Sequence, residues 1–221
     1  MILQGGTSKR VAPTADAYHA FADLTMNIGE RSHQVKHLKK EIERARDRRS
    51  PARILETGIG FYIHGGFTKL CLDNLWDGDL LDTVEYEREH IDEYLKEFGE
   101  SNNVKIHHSD SLEFIRNAQH RYDLAFLDSA NDSEHIFNEF MSVTCKMQDD
   151  GVILIDDAGV AGGDVVFRRP DNGKSIYRWP AVKKSKKGLL VHKHCIDNNI
   201  KYSVPCPNVL SIKMLDIQKK G

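Results

Sequence analysis

The chain has 221 residues, with 31 Lys and Arg against 33 Asp and Glu, so its formal net charge is −2 at pH 7. Hydrophobic residues make up 40% and charged residues 29%, which argues for a globular core and against general disorder. The charge balance gives no whole-chain attraction to nucleic acid or anionic membranes, and no apolar run reaches the roughly 20 residues of a membrane helix.

Residues 1–14 read as a polar arm ending near Pro13, without the apolar core of a signal peptide, so a cytoplasmic protein is expected. Cys71, Cys145, Cys195 and Cys206 form no CxxC pair and read as reduced packing residues. Ala15–Met26 has roughly helical apolar spacing. Ser32–Arg49 carries Val35, Leu38, Ile42 and Ala45 on one stripe, an amphipathic helix whose Lys and Arg form a solvated face. Residues 1–49 are expected to pack on the main domain, residues 50–221.

From Ala52 the pattern alternates. Ala52–Thr57 is a short apolar run ending in glycines, a buried strand entering a tight turn. Phe67–Leu75 is a helix, Leu80–Glu85 a strand, and Glu87–Phe98 a helix closed by Gly99. Val104–His108 is a third strand, Ser111–Gln119 a helix, and Tyr122–Asp128 a fourth strand. Ser133–Met147 is helical, and Gly151–Asp156 is a fifth strand ending in acids. Val160–Pro180, with three glycines and two prolines, reads as a long loop or irregular hairpin, a lid or substrate loop. Ala181–Asn198 is a basic helix, and Lys201–Val204 and Val209–Leu215 form an antiparallel edge pair. The alternation predicts a Rossmann-like α/β fold: a mostly parallel seven-stranded sheet, helices on both faces, and an antiparallel C-terminal hairpin.

Such sheets bind ligands beyond the carboxyl ends of their strands, where strand order reverses. Every predicted parallel strand ends there in an acid or a glycine turn: Glu56–Gly66, Glu85, Asp110, Asp128, and Asp156 with Asp157. In Ile54–Gly60, glycine permits positive φ and close approach of a ligand. Glu85 can accept two hydrogen bonds from ribose hydroxyls or can favour a helix N-terminus. Asp110 and Ser111 can meet an adenine or cap the following helix, and both roles can coexist.

These motifs in this order resemble the class I S-adenosylmethionine-dependent methyltransferases, most of all the catechol and caffeoyl-CoA type O-methyltransferases and bacterial relatives. The resemblance spans roughly residues 50–160. It implies that Glu56, Thr57, Gly58, Gly60 and Gly66 line the methionine part of the cofactor. Glu85 with Tyr86 would hold the ribose, and Asp110 with Ser111 the adenine, near Asp128. Asp128, Asp156 and Asp157 fall where metal-dependent members bind a divalent cation, Mg²⁺ or another, so Asp128 would also serve catalysis.

The chain departs from the pattern at Tyr62, which replaces the third glycine, and at Phe61–His64, which read as an insertion. The lysine that such members carry after the fourth-strand acid is replaced by Ser129, Ala130 and Asn131. His64 and His135 are the alternative bases. The implied acceptor is a small hydroxylated molecule, and the implied assembly a homodimer. Two other readings stay open. A nicotinamide-dependent oxidoreductase shares the sheet and Glu85 but wants GxGxxG, and Ile63 stands at the third glycine. A nucleic-acid-binding module would use Lys183–Lys187, otherwise a solvated helix face, although the acidic strand ends argue against nucleic acid as a partner.

Overall fold

The computed structural model describes residues 35–59, 66–130, 132–156, 158, 166–168, 175–178, 187–206 and 209–218. Seven strands form one sheet in the order β3-β2-β1-β4-β5-β9-β8. They are β1 (Arg53–Thr57), β2 (Leu80–Glu85), β3 (Val104–His108), β4 (Tyr122–Leu127), β5 (Met147–Ile155), β8 (Tyr202–Cys206) and β9 (Val209–Lys213). The first five run parallel, and β9 joins β5 antiparallel with β8 outside it. This is the Rossmann-like arrangement expected from the alternation. The order reverses between β1 and β4, so the ends of those two strands flank the crevice.

Strand alternation sends successive side chains to opposite faces, and both faces are covered. On one face, Ile54, Leu124, Phe126 and Leu154 pack with Leu38, Ile42 and Ala45 of α1 (35–48) and with Phe67 and Cys71 of α2 (Gly66–Asn74). On the other, Leu55, Ala125, Leu127, Ile153 and Ile155 pack with Ile115 of α4 (Ser111–Asn117), Ile136, Phe140 and Val143 of α5 (Ser133–Thr144), and Val191 and Cys195 of α6 (Leu189–Asp197). Helix α3 (Arg88–Phe98) adds Ile91 and Tyr94 beside Ile59. All six residues of β4 are buried, as befits a central parallel strand. Each fully buried Leu or Ile contributes about 1.5–3 kcal/mol of transfer free energy.

Asp79 ties the amino ends of the strands together. Its Oδ1 accepts from the Ala52 amide at 2.8 Å and its Oδ2 from the Trp76 amide at 2.9 Å. The Asn103 side-chain amide donates to the carbonyls of Trp76 and Asp79. Gly78 makes the turn at φ +89°, a conformation that L side chains rarely adopt.

Several boundaries differ from expectation. Strand β5 begins at Met147, because Tyr122 pairs with Met147 while Leu124 pairs with Val152. The extra residues on β5 make an irregular bend at Gly151, where a Cβ would lie 3.0 Å from the Gln148 carbonyl. Helix α5 therefore stops at Thr144. Strand β9 ends at Lys213, and Met214–Gln218 forms a short helix, α7, that buries Met214 in the core. Within the expected loop 160–180, β6 (Val166–Arg168) and β7 (Ser175–Arg178) pair antiparallel. Val35, placed on the buried stripe of α1, is 46% exposed.

The basic face of α1 is not wholly solvated. Arg46 lies over the Trp76 ring at 4.1 Å and donates to the Asn74 carbonyl at 2.9 Å. Arg48 donates to the Asp123 carbonyl, and Arg49 approaches the Asp123 carboxylate at 3.5 Å. The planar guanidinium suits this stacking and forked bonding. Among the described residues, no helix is long and apolar enough to cross a membrane.

Asp79→Ala is expected to cost about 2–3 kcal/mol, because two amides lose their acceptor. Thermal unfolding should then shift down by roughly 5–10 °C for a chain of this length, and an unchanged midpoint would contradict the tie.

Candidate active site at the carboxyl ends of the strands

A cavity of about 370 Å³ opens where β1 and β4 diverge, lined by Gly58, Glu85, Tyr86, Asp110, Ser111, Asp128 and His135 among others. Six of the residues expected at the cofactor, and His135 expected as a base, thus line one cavity. Gly58 leaves β1 at φ +84°, its amide donating to the Val84 carbonyl at 2.8 Å. A Cβ at Gly58 would stand 2.7 Å from the Asp128 carbonyl oxygen, so only glycine lets the two strand ends approach this closely. Gly66, at φ +51°, opens α2 with Ile59 against it.

Glu85 ends β2 with its carboxylate 7% exposed and held from two sides. Its Oε2 accepts from the Ile59 amide at 3.0 Å and its Oε1 from the Glu87 amide at 2.8 Å. His90 Nδ1 approaches Oε2 at 3.4 Å. The acid is fixed in place before any ligand arrives, and each oxygen keeps a further lone pair. Tyr86 follows at the rim, 69% exposed. Asp110 caps α4, its Oδ1 accepting from the Glu113 amide at 2.9 Å, so the capping role is realised while the residue also faces the cavity.

Beneath this wall lies an acid that sequence reading passed over. Glu139 is fully buried, and its Oε1 accepts from Ser129 Oγ at 2.6 Å and its Oε2 from Thr57 Oγ1 at 3.1 Å. His135, one helical turn earlier, brings Nε2 to 3.4 Å from Glu139 Oε1 and 3.0 Å from Ser111 Oγ. Its pKa is raised, first by the hydrogen bond to Glu139, against the opposing effect of burial. The i, i+4 spacing of His135 and Glu139, with Glu139 on the helix face of Ile136, Phe140 and Val143, was the available signal.

Two expected cofactor residues are placed otherwise. The Thr57 hydroxyl is spent on Glu139, so it braces the wall and does not face the cavity. Glu56 points to the opposite face, where the Thr68 hydroxyl donates to it at 2.5 Å and the Thr83 hydroxyl donates to the same oxygen. Burial raises its pKa to about 8, with the two hydroxyls opposing. Strand alternation from Leu55 is the reason: Glu56 must face α2. Gly60, His64 and Asp157 lie outside the described residues.

Lys187, expected on a solvated basic face, has a side chain only 7% exposed and forms an ion pair with Asp128 Oδ1. Lys183–Lys186 lie outside the described residues. Asp156 follows β5, its amide donating to the Leu127 carbonyl at 3.1 Å, which sets it beside the end of β4.

Residues 56–158 match the family model described as a methyltransferase domain. Among solved structures, the chain is similar to the tomaymycin-synthesis O-methyltransferase TomG of Streptomyces achromogenes, solved with S-adenosylmethionine. The identity is 21%, with 80% of this chain and 79% of that one covered and a TM-score of 0.52. A putative caffeoyl-CoA O-methyltransferase of Staphylococcus aureus aligns at 18% identity over 81% of each chain, with a TM-score of 0.55. The mycinamycin-pathway methyltransferase MycE, solved with Mg and S-adenosylhomocysteine, aligns at 17% identity and a TM-score of 0.54. The match covers 80% of this chain but 48% of MycE, so the chain spans about half the length of that enzyme. Comparison with curated proteins finds no match.

The matched residues run from the end of β1 to just beyond β5 and so take in Gly58, Glu85, Asp110 and Asp128. The similar solved structures share the fold with this chain, and the methyltransferase-domain match lies over the strands whose ends line the cavity. The match to a methyltransferase domain favours the methyl-transfer reading over the nicotinamide one, and the ion pair with Asp128 withdraws Lys187 from the basic run.

Gly58→Ala should weaken S-adenosylhomocysteine binding at least ~10-fold, about 1.4 kcal/mol, in calorimetry. Helix content should stay unchanged by circular dichroism. His135 carries a second expectation. Its folded pKa exceeds the unfolded value, so its stabilisation is complete below the unfolded pKa and fades as pH rises through the folded one. Denaturation from pH ~6 to pH ~9 should show wild type losing more stability than His135→Asn. Equal losses would remove the charged pairing with Glu139.

Proposed function

We propose that the chain transfers the methyl group of S-adenosylmethionine to a hydroxyl oxygen of a small acceptor in the cytoplasm. The observation that carries the cofactor half is the Glu85 carboxylate, buried, fixed by two amides and facing the cavity at the strand switch point. The sulfonium supplies an already activated methyl group. The carbon–sulfur bond breaks as the carbon–oxygen bond forms, and the hydroxyl proton leaves to solvent or a nearby base. The protein's share is alignment, which intramolecular models value at up to roughly 7–11 kcal/mol.

In this reading Glu85 accepts from the two ribose hydroxyls, Gly58 lets the methionine part lie against the β1 turn, and Asp110 with Ser111 faces the adenine. His135, bonded to Ser111, stands with the adenine-facing group. Oxygen as the acceptor atom is supported by TomG and the caffeoyl-CoA-type relative, whose descriptions name O-methyltransferases. The cytoplasmic placement is supported by Cys71, Cys145 and Cys195, all free thiols, as suits a reducing compartment. A small acceptor and a homodimeric assembly remain part of the proposal through the same family likeness.

The metal-assisted variant of the reading meets the donor set. Among the described residues no group of three His, Cys, Asp or Glu is gathered to hold an ion, and Asp128 already engages an ammonium. Among the described residues, Asp128 and Asp156 therefore do not make a site that fits a divalent cation.

Calorimetry of the purified chain with S-adenosylhomocysteine tests the reading, with binding expected in the micromolar range typical of enzyme ligands. Glu85→Ala should weaken that binding by ~10–100-fold, since hydrogen bonds to a charged group contribute about 1.5–3 kcal/mol. Absence of heat in the wild type would refute the cofactor assignment, and unaltered binding in the variant would refute the ribose role.

A further inference from the structure

The pairing of Lys187 with Asp128 joins two segments 59 residues apart, and both side chains are largely out of water, at 7% and 13% exposure. Burying one ion costs several kcal/mol unless an opposite charge meets it, so each group requires a partner in this place. The lysine is also held by its backbone. Gly188 packs so closely on Ala158, just beyond β5, that a Cβ there would lie 2.7 Å from the Ala158 Cβ. Beyond it α6 starts and buries Val191. The ammonium is thus delivered to the end of β4 by a short segment pinned at the end of β5.

We propose that Lys187 is the resident cation of these strand ends, standing on Asp128 where a metal-assisted methyltransferase would hold a divalent ion, and in place of one. A divalent ion and an ammonium cannot share one carboxylate oxygen in a water-poor site, because they repel at short range. Mg²⁺ further demands near-octahedral oxygen ligands, and a carboxylate already engaged by lysine is a poor one. Lysine instead supplies a compact point charge with three donors. Fixed at the switch point, that charge holds the Asp128 carboxylate, which lines the cavity, in place without a soluble metal. Lys187 acts here as a positioning residue, through Asp128. This role for the charge rests on the methyltransferase reading, whereas the occupancy of the site by lysine does not.

The experiment is a titration with Mn²⁺ followed by electron paramagnetic resonance, with S-adenosylhomocysteine calorimetry on the same samples. Wild type and Asp128→Asn should bind Mn²⁺ equally weakly, with no stoichiometric site. Lys187→Met, which removes the cation and leaves the acid, should bind Mn²⁺ at least ten-fold more tightly than wild type. Adding Asp128→Asn to Lys187→Met should abolish that gain. The proposal is overturned if wild type binds one Mn²⁺ that Asp128→Asn releases, or if folded Lys187→Met gains no Mn²⁺ affinity. Should Lys187→Met fail to fold, the comparison of wild type with Asp128→Asn decides alone. A wild type that binds neither Mn²⁺ nor S-adenosylhomocysteine would support the lysine's place and defeat the cofactor reading, so the two failures are told apart.

Discussion

The approach of Gly58 to the Asp128 carbonyl governs the rest of the molecule. At that point β1 and β4 end side by side, and the strands that follow each of them depart in opposite directions. A side chain at Gly58 would push the two ends apart. Separation would move Asp128 and Ser129 away from the Thr57–Glu139 support, and Ile59 away from the Glu85 carboxylate. The cavity is therefore the space left by a tight backbone contact, and its acidic walls are positioned by strand ends that the core holds in register.

Charge is buried around this contact in three ways. Glu139 is satisfied by hydroxyls and an imidazole. Glu56 is satisfied by two threonine hydroxyls, and its burial makes the neutral acid accessible near neutral pH. Asp128 is met by an ammonium. Each solution avoids the penalty of an unpaired buried carboxylate, and each ties residues that are distant in sequence.

The sheet was legible because its signals are local. Five apolar runs, each ending in an acid or glycine, state the strand ends directly, and Glu85, Asp110 and Asp128 fall on one cavity as their positions suggested. What was not legible depends on contacts between distant segments. Lys187 reads as one of a basic run, and only the packing of Gly188 on Ala158 turns it inward. Glu139 reads as an ordinary helix acid until Thr57 and Ser129 are seen to converge on it. Thr57 and Glu56 were misassigned because a motif fixes their place in the chain but strand alternation sends them to opposite faces. The early start of β5 escaped because its bend at Gly151 breaks the period from which a strand is read.

The grip of Arg46, Arg48 and Arg49 on Asn74 and Asp123 has a directional consequence. Those contacts hold the last turn of α1 at the edge of the sheet where β4 begins. A helix joined to β1 by a turn of a few residues and lying on the same sheet must run against the strand direction. Fourteen residues at about 1.5 Å each span roughly 21 Å, comparable to the length of a strand. The first turn of α1, with exposed Val35, is therefore carried to the opposite edge, the one on which the cavity opens. The first turn of α1 and the mouth of the cavity therefore share one rim of the sheet.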